Sequence, residues 1–238
     1  MQEPEFIVSA SERTRGGSLN TSRILQIRVG LLRRGFVLLP SDTCYSVAAL
    51  AFDKRVHDNV NIVLNRERSP ISLAFSNFAK VKDWIDLDPV TAILLERFTP
   101  GPITVVCKAN LNVPIDFTTH TIGSKGRTIG VRIPDSVVER EIAGCTRYLI
   151  TTVAVRNPKT GRIVQDFGQA LDIVGKGMHR LGNTDWVAVE GGEFYASHST
   201  VVQITEDRLK LLRQGDIPFD EIQAVSKTLP NWSLENWS

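Results

Sequence analysis

The chain has 238 residues, enough for one large domain or two small ones. Apolar residues make up 42% and charged residues 23%, which suits a buried core and excludes a disordered chain, and the longest apolar runs, such as Phe36 to Pro40, are too short to span a bilayer. The net charge of +2 is too small to argue for nucleic acid, so any positive site must come from local clustering.

Cys44, Cys107 and Cys145 are odd in number, far apart and without a CxxC pair, which reads as reduced cytosolic cysteine. The start, with Glu3 and Glu5 and no long apolar stretch, does not read as a secretory signal. A cytoplasmic protein with no membrane partner is expected.

In chain order, the polar stretch 1–20 reads as a mobile N-terminal arm. A helix is expected from Thr21, on the spacing of Ile24, Ile27, Leu31 and Leu32, capped by Asn20, Thr21 or Ser22 and ended by Gly35. Phe36–Pro40 and Val47–Phe52 read as strands, His57–Leu64 as a helix and Ile71–Phe75 as a short strand. Pro89–Phe98 is a helix with Asp86 or Asp88 as its cap, followed by strands at Ile103–Lys108 and Thr128–Ile133. Ser136–Cys145 is a helix and Leu149–Val155 a strand, while glycines at 168, 175 and 177 interrupt the helical pattern of Phe167–Leu181. Trp186–Val189, Thr200–Ile204 and Leu209–Arg213 are strands, and the tail, 217–238, whose end from Ser226 carries Trp232 and Trp237, reads first as packing back on the domain and otherwise as a partner contact. Strands and helices mix without a strict βαβ rhythm, so an α/β (α+β) domain over about 21–216 with a twisted mixed sheet is expected.

Several segments can carry chemistry. Pro40-Ser41-Asp42-Thr43-Cys44-Tyr45 follows a buried strand and reads equally as a ligand loop or an ordinary turn. Arg66-Glu67-Arg68 suits phosphate, but alone it reads first as a solvated helix end. On the strand at 128–133, period-two alternation puts Thr128, Gly130 and Arg132 on one face and Ile129, Val131 and Ile133 on the other. Arg132 in an apolar strand needs a counter-charge, which a bound phosphate and a structural carboxylate supply equally well. Thr104 is a candidate ligand contact after the rigid Thr99-Pro100-Gly101-Pro102, whereas Ser199-Thr200 and Arg213-Gln214-Gly215 read alone as loops. The four histidines are scattered, and no metal site is expected.

Taken in order, these segments resemble the YrdC-like family, and within it the YciO-type branch. Leu39-Pro40-Ser41-Asp42-Thr43-Cys44-Tyr45 resembles "PTDTVYGL", Thr99 to Thr104 resembles "TPGPLT", and Thr128 to Pro134 resembles "TVGVRVP". Ser199-Thr200-Val201-Val202 resembles "STVVD", with Gly191-Gly192 upstream, and Arg213-Gln214-Gly215 resembles "RxG". The match runs from about Thr21 to Gly215. The resemblance implies a single domain with a deep, concave, positively lined cavity that binds nucleotide or RNA. Its best-known activity is L-threonylcarbamoyladenylate synthesis, in which threonine, bicarbonate and ATP give threonylcarbamoyl-AMP and pyrophosphate for modification of tRNA. ATP as substrate, Mg²⁺, L-threonine, bicarbonate and RNA or tRNA are the ligands so implied.

By the same resemblance, Thr43 and Tyr45 help form a threonine pocket. Ser41, Thr104, Thr128, Thr151, Thr152, Ser199 and Thr200 line the nucleotide site, and Arg213 sits near the phosphates. Arg66, Arg68 and Arg132 are the candidate catalytic cations. Two departures stand against activity. The family's KxR motif is here Asn65-Arg66-Glu67-Arg68-Ser69-Pro70-Ile71, without lysine, and its "SAN" is Thr151-Thr152-Val153-Ala154, without asparagine. The further C-terminal domain of the long synthases is expected to be missing. The alternative is a non-catalytic module for double-stranded RNA or tRNA, using Arg66, Arg68, Lys125, Arg127 and Arg132.

Overall fold

A computed structural model describes residues 1–14, 17–51, 54–67, 70–113, 119–120, 126–182, 185–205 and 208–228. Arg68, Lys125, Trp232 and Trp237 lie outside these. The first half runs β1 (Phe6–Ser9), α1 (Thr21–Leu32), β2 (Phe36–Pro40), β3 (Tyr45–Leu50), α2 (Lys54–Val63), β4 (Ser72–Ala74), α3 (Phe78–Val81), α4 (Pro89–Phe98) and β5 (Ile103–Lys108). The second half runs β6 (Thr119–His120), β7 (Arg127–Arg132), α5 (Val137–Gly144), β8 (Ile150–Ala154), α6 (Phe167–Leu181), β9 (Trp186–Glu190), β10 (Thr200–Ile204), β11 (Leu209–Arg213) and α7 (Phe219–Ser226).

The strands form one mixed sheet in the order β1-β9-β2-β3-β8-β4-β7-β5-β10-β11, with β6 beside β7. One face is covered by α2 and α6 at one end, through Val60, Val63, Val174 and Met178, and by α4 and α7 at the other, through Leu94, Leu95 and Ile222. The opposite face is covered by α1 and α5 over β9, β2 and β3 and as far as Ala74 of β4 and Ile150 of β8, through Ile27, Leu31, Val138 and Ile142. Strands with helices on both faces have to be apolar throughout, which is why every residue of β2 and β3 is buried. Where the second helix layer stops, β5, β7 and β10 bury alternate residues against α4 and turn the others to an open cavity. No helix among the described residues is long and apolar enough to cross a membrane.

The capping chemistry follows the sequence. Asn20 accepts from the Ser22 amide at the start of α1, and Asp88 from the Thr91 amide at the start of α4. Three expectations change, and one helix was not expected. The arm is not free: Phe6–Ser9 pairs in parallel with Val187–Glu190 and buries Val8, giving the edge of β9 the hydrogen bonds it would otherwise lack. The turn after α1 puts Arg34, not Gly35, in the left-handed region, at φ 65°. The tail begins with α7, whose buried Ile222 joins the core beside α4. The helix α6 is continuous through its glycines; a Cβ on Gly177 would lie 2.0 Å from the Val63 carbonyl oxygen, so the residue lets α6 press against α2.

Candidate nucleotide site

The open part of the sheet forms a cavity of about 750 Å³. Its floor is a single row across six strands. Lys210 on β11 stands opposite Gln203 on β10, which stands opposite Val106 on β5. Val106 pairs with Gly130 on β7, Gly130 with Ser72 on β4, and Ser72 with Thr152 on β8. All six line the cavity. Gly130 lies within this row, where a Cβ would fall 2.9 Å from the Ser72 hydroxyl and 3.3 Å from the Thr104 methyl. Any side chain there would fill the floor.

The walls are basic. Arg66, Arg156, Lys210 and Arg213 line the cavity, and among the described residues no Asp or Glu does. Among the described residues, Arg66 and Arg156 donate to backbone carbonyls, of Pro70 at 3.4 Å and Gly161 at 2.9 Å. Arg213 clasps the Ser199 carbonyl through Nε at 3.1 Å and Nη2 at 2.9 Å. None of the four forms an ion pair among the described residues. Burial pulls the Arg66 and Arg213 guanidinium groups below their usual pKa, and the nearby charge of Arg156 adds to the effect in both. Cations that disfavour one another around a hollow make a site for an anion.

Arg132 is different. Its Nη2 donates to Asp42 Oδ1 at 2.7 Å and to Ser41 Oγ at 3.2 Å, and its Nε lies 4.0 Å from Glu139 Oε1. Asp42 and Glu139 are fully buried. Of the two counter-charges open to Arg132 in the sequence, the structure supplies the carboxylate. Burial lowers the Arg132 pKa, but Glu139 and Asp42 outweigh it and hold the group above its usual value. Burial also pushes Glu139 up, against the attraction of Arg132. The second Asp42 oxygen accepts from the Asp135 amide at 3.1 Å, so Asp42 ties the β2–β3 turn to the end of β7.

The structure brings Arg66, Thr104, Thr128, Arg132, Thr152 and Arg213 to the cavity wall. It places the other expected residues elsewhere. Ser41 lies beneath Arg132, donating to Asp42 at 3.0 Å. Thr43 is buried, its carbonyl accepting from Gln165 at 2.8 Å. The Tyr45 hydroxyl bridges the Gly191 amide and carbonyl, each at 3.1 Å, and its ring packs on Phe167 and Phe194. Thr151 turns the other way and exchanges hydrogen bonds with the Ala49 backbone. Ser199 and Thr200 brace the loop, with the Thr200 hydroxyl donating to Ile217 and accepting from Gly215. The Cys44 thiol is buried and pushed up in pKa, which does not suit a nucleophile.

Sequence reading missed Arg156, Lys210, Gln203, Ser72 and Glu139. Strand alternation carried one step further, from Thr152 and Ala154 to Arg156 and from Val201 to Gln203, would have found two of them.

A family model named for Sua5, YciO and YrdC, and described as "Telomere recombination", matches residues 31–215. The chain belongs to this family. It is 25% identical over 193 residues to a Methanocaldococcus jannaschii protein provisionally named threonylcarbamoyl-AMP synthase, covering 81% of this chain and 85% of that one. It is 26% identical over 211 residues to the threonylcarbamoyl-AMP synthase of Pyrococcus abyssi, spanning 84% of this chain and 56% of that protein. The structure of P. abyssi Sua5 complexed with L-threonine superposes with TM-score 0.71 at 24% identity, over 92% of this chain and 60% of the other. Escherichia coli YciO superposes with TM-score 0.72 at 17% identity, over 92% and 99%. The fold is the mixed α/β fold of these proteins.

Proposed function

We propose that this protein binds ATP in the basic cavity and makes threonylcarbamoyl-AMP there from threonine, bicarbonate and ATP. The observation that carries the reading is the convergence of Arg66, Arg156, Lys210 and Arg213, without an ion-pair partner among the described residues, on a cavity that no described Asp or Glu lines. Its volume suits a nucleotide-sized ligand, and the relatives' names supply the chemistry.

In that reaction the threonine amine first combines with bicarbonate, losing water, to give a carbamate. A carbamate oxygen then attacks the α-phosphorus of ATP, the bond to the bridging oxygen breaks, and pyrophosphate leaves. The protein's share is positioning and charge stabilisation: Arg66, Arg156, Lys210 and Arg213 would hold the phosphate oxygens as charge builds on the leaving group. Among the described residues no carboxylate lines the cavity, so these residues do not fit a protein-held Mg²⁺, and any Mg²⁺ would be carried by the ATP phosphates. Arg132, occupied by Asp42 and Glu139, would act by holding the wall in place.

The test is incubation of the purified protein with ATP, Mg²⁺, L-threonine and bicarbonate, followed by mass spectrometry and a pyrophosphate assay. Threonylcarbamoyl-AMP that requires all the substrates, and is lost in Arg66→Ala and Arg156→Ala, is the expected result. Tight ATP binding with no product would remove the synthase reading and leave a nucleotide-binding protein. RNA binding without ATP binding would favour the RNA module instead.

A further inference from the structure

Six buried side-chain polar atoms among the described residues lack a hydrogen-bond partner, and four of them meet beneath the cavity: Arg132 Nε, both Glu139 carboxyl oxygens and Thr152 Oγ1. Buried polar groups are normally paired, so this cluster is held short of its full set of bonds. Asp42 and Ser41 hold one corner of the Arg132 guanidinium, Nη2. Glu139 Oε1 faces Nε from 4.0 Å. The third corner, Nη1, takes no bond among the described residues and is not one of the buried unpaired atoms, so it is the corner that reaches the cavity Arg132 lines. The charge of Arg132 is felt there: after burial and Arg156, it helps depress the pKa of Arg213 in the same wall.

Glu139 comes from α5 and does not itself line the cavity. Facing it are Arg132 from β7, Asp42, Ser41 and the Cys44 thiol from the β2–β3 turn, and Thr152 from β8. Cys44 is neutral, since burial pushes its pKa up. The neighbours of Glu139 on α5 are engaged elsewhere: Arg140 donates to Asp135 at 3.2 Å, and Glu141 accepts from the Leu19 amide at 3.0 Å. Burial raises the Glu139 pKa most; Arg132 lowers it and Asp42 raises it. A proton on Glu139 therefore decides the charge of the cluster. With it, Arg132 and Asp42 balance. Without it, one negative charge remains beside a wall that an anion must approach.

We propose that Glu139 is a positioning residue for anion binding: it holds Arg132 with Nη1 turned to the cavity, and its proton sets how strongly Arg132 draws a phosphate group of the bound nucleotide. This rests on the nucleotide reading of the cavity. An anion at Nη1 favours the protonated carboxyl, and by linkage the protonated carboxyl favours the anion. Binding is strongest where Glu139 is protonated and declines as pH rises through its folded-state pKa, which lies above 4.5.

The experiment measures ATP affinity by calorimetry from pH 4.5 to about 8, for the wild type and Glu139→Gln, in buffers of differing ionisation enthalpy. Melting curves check folding, and Glu139→Ala takes the place of Glu139→Gln if the latter does not fold. Titration of the ATP phosphates is common to both proteins and cancels in their ratio. The two should bind alike at the acid end, and the variant should bind about fivefold more tightly at the alkaline end. ATP binding should also take up more protons in the wild type than in the variant. An affinity ratio that stays constant with pH, or equal proton uptake, leaves Glu139 a structural residue and overturns the proposal, with the nucleotide reading standing. A wild type that binds no ATP removes both.

Discussion

Asp42 Oδ1 accepts a 2.7 Å hydrogen bond from Arg132 Nη2, joining a turn and a strand 90 residues apart in the chain. Both groups are buried, and Glu139 closes the cluster on the other side of the guanidinium. Two carboxyl groups share one cation, so the cluster depends on Arg132 for its balance.

Removing the cation should therefore be severe. Arg132→Ala leaves Asp42 and Glu139 buried together with no counter-charge, and a loss of about 3–5 kcal/mol is expected. Chemical denaturation would measure it. A loss under about 1 kcal/mol would mean that water or another group already compensates the pair. Because this variant disturbs the fold, lost activity in it says little about catalysis.

Glu139 gives a prediction with a sign in pH. Burial raises its folded-state pKa above the unfolded value of 4.5. The stability this group contributes is complete below that value and declines as pH rises through the folded-state pKa. Glu139→Gln keeps the shape and removes the titration, while Arg132 retains Asp42. The difference in melting temperature, variant minus wild type, should grow more positive between pH 4.5 and 8. A difference that stays flat across that window counts against a raised pKa.

Gly130 tests the cavity floor. A methyl group there meets the Ser72 hydroxyl at 2.9 Å and the Thr104 methyl at 3.3 Å. Gly130→Ala should cost about 1–3 kcal/mol of stability through overpacking. It should also weaken ATP about tenfold or more, because the methyl group occupies ligand space. Unchanged ATP affinity in a folded Gly130→Ala protein would place the nucleotide away from this row.

Much of the fold was legible because strand and helix periods are written in the apolar residues. The bounds of α4, β5, β10 and β11 coincide with the sequence reading, and the alternation across Thr128, Gly130 and Arg132 gave the correct cavity face. The strand β1 was missed because four residues of edge strand, half exposed, carry little pattern. At the site, motif matching found residues that brace the walls as readily as residues that line the cavity. Tyr45 and Thr200 hold backbone in place, the Ser199 carbonyl is held by Arg213, and only the register of six strands shows that Gln203 and Lys210 face the hollow. The partner of Arg132 was illegible for the same reason: nothing local connects it to Asp42 or Glu139.

The last prediction concerns the cost of keeping cations apart from carboxylates. After burial, the charge of Arg156 is the largest influence depressing the pKa of both Arg66 and Arg213. Arg156→Gln relieves that repulsion, so the melting temperature should hold or rise slightly. The same change removes a phosphate partner, so ATP affinity should fall about tenfold. The dependence of binding on salt should become shallower too, because one fewer cation takes part. Titrations between about 50 and 300 mM salt, with melting curves on the same samples, separate these effects, since this range brackets physiological screening. Stability that holds while affinity falls is the signature of residues kept for a ligand at the fold's expense. If both fall together, Arg156 is a structural residue held by the Gly161 carbonyl, and the anion site is smaller than the four cations suggest.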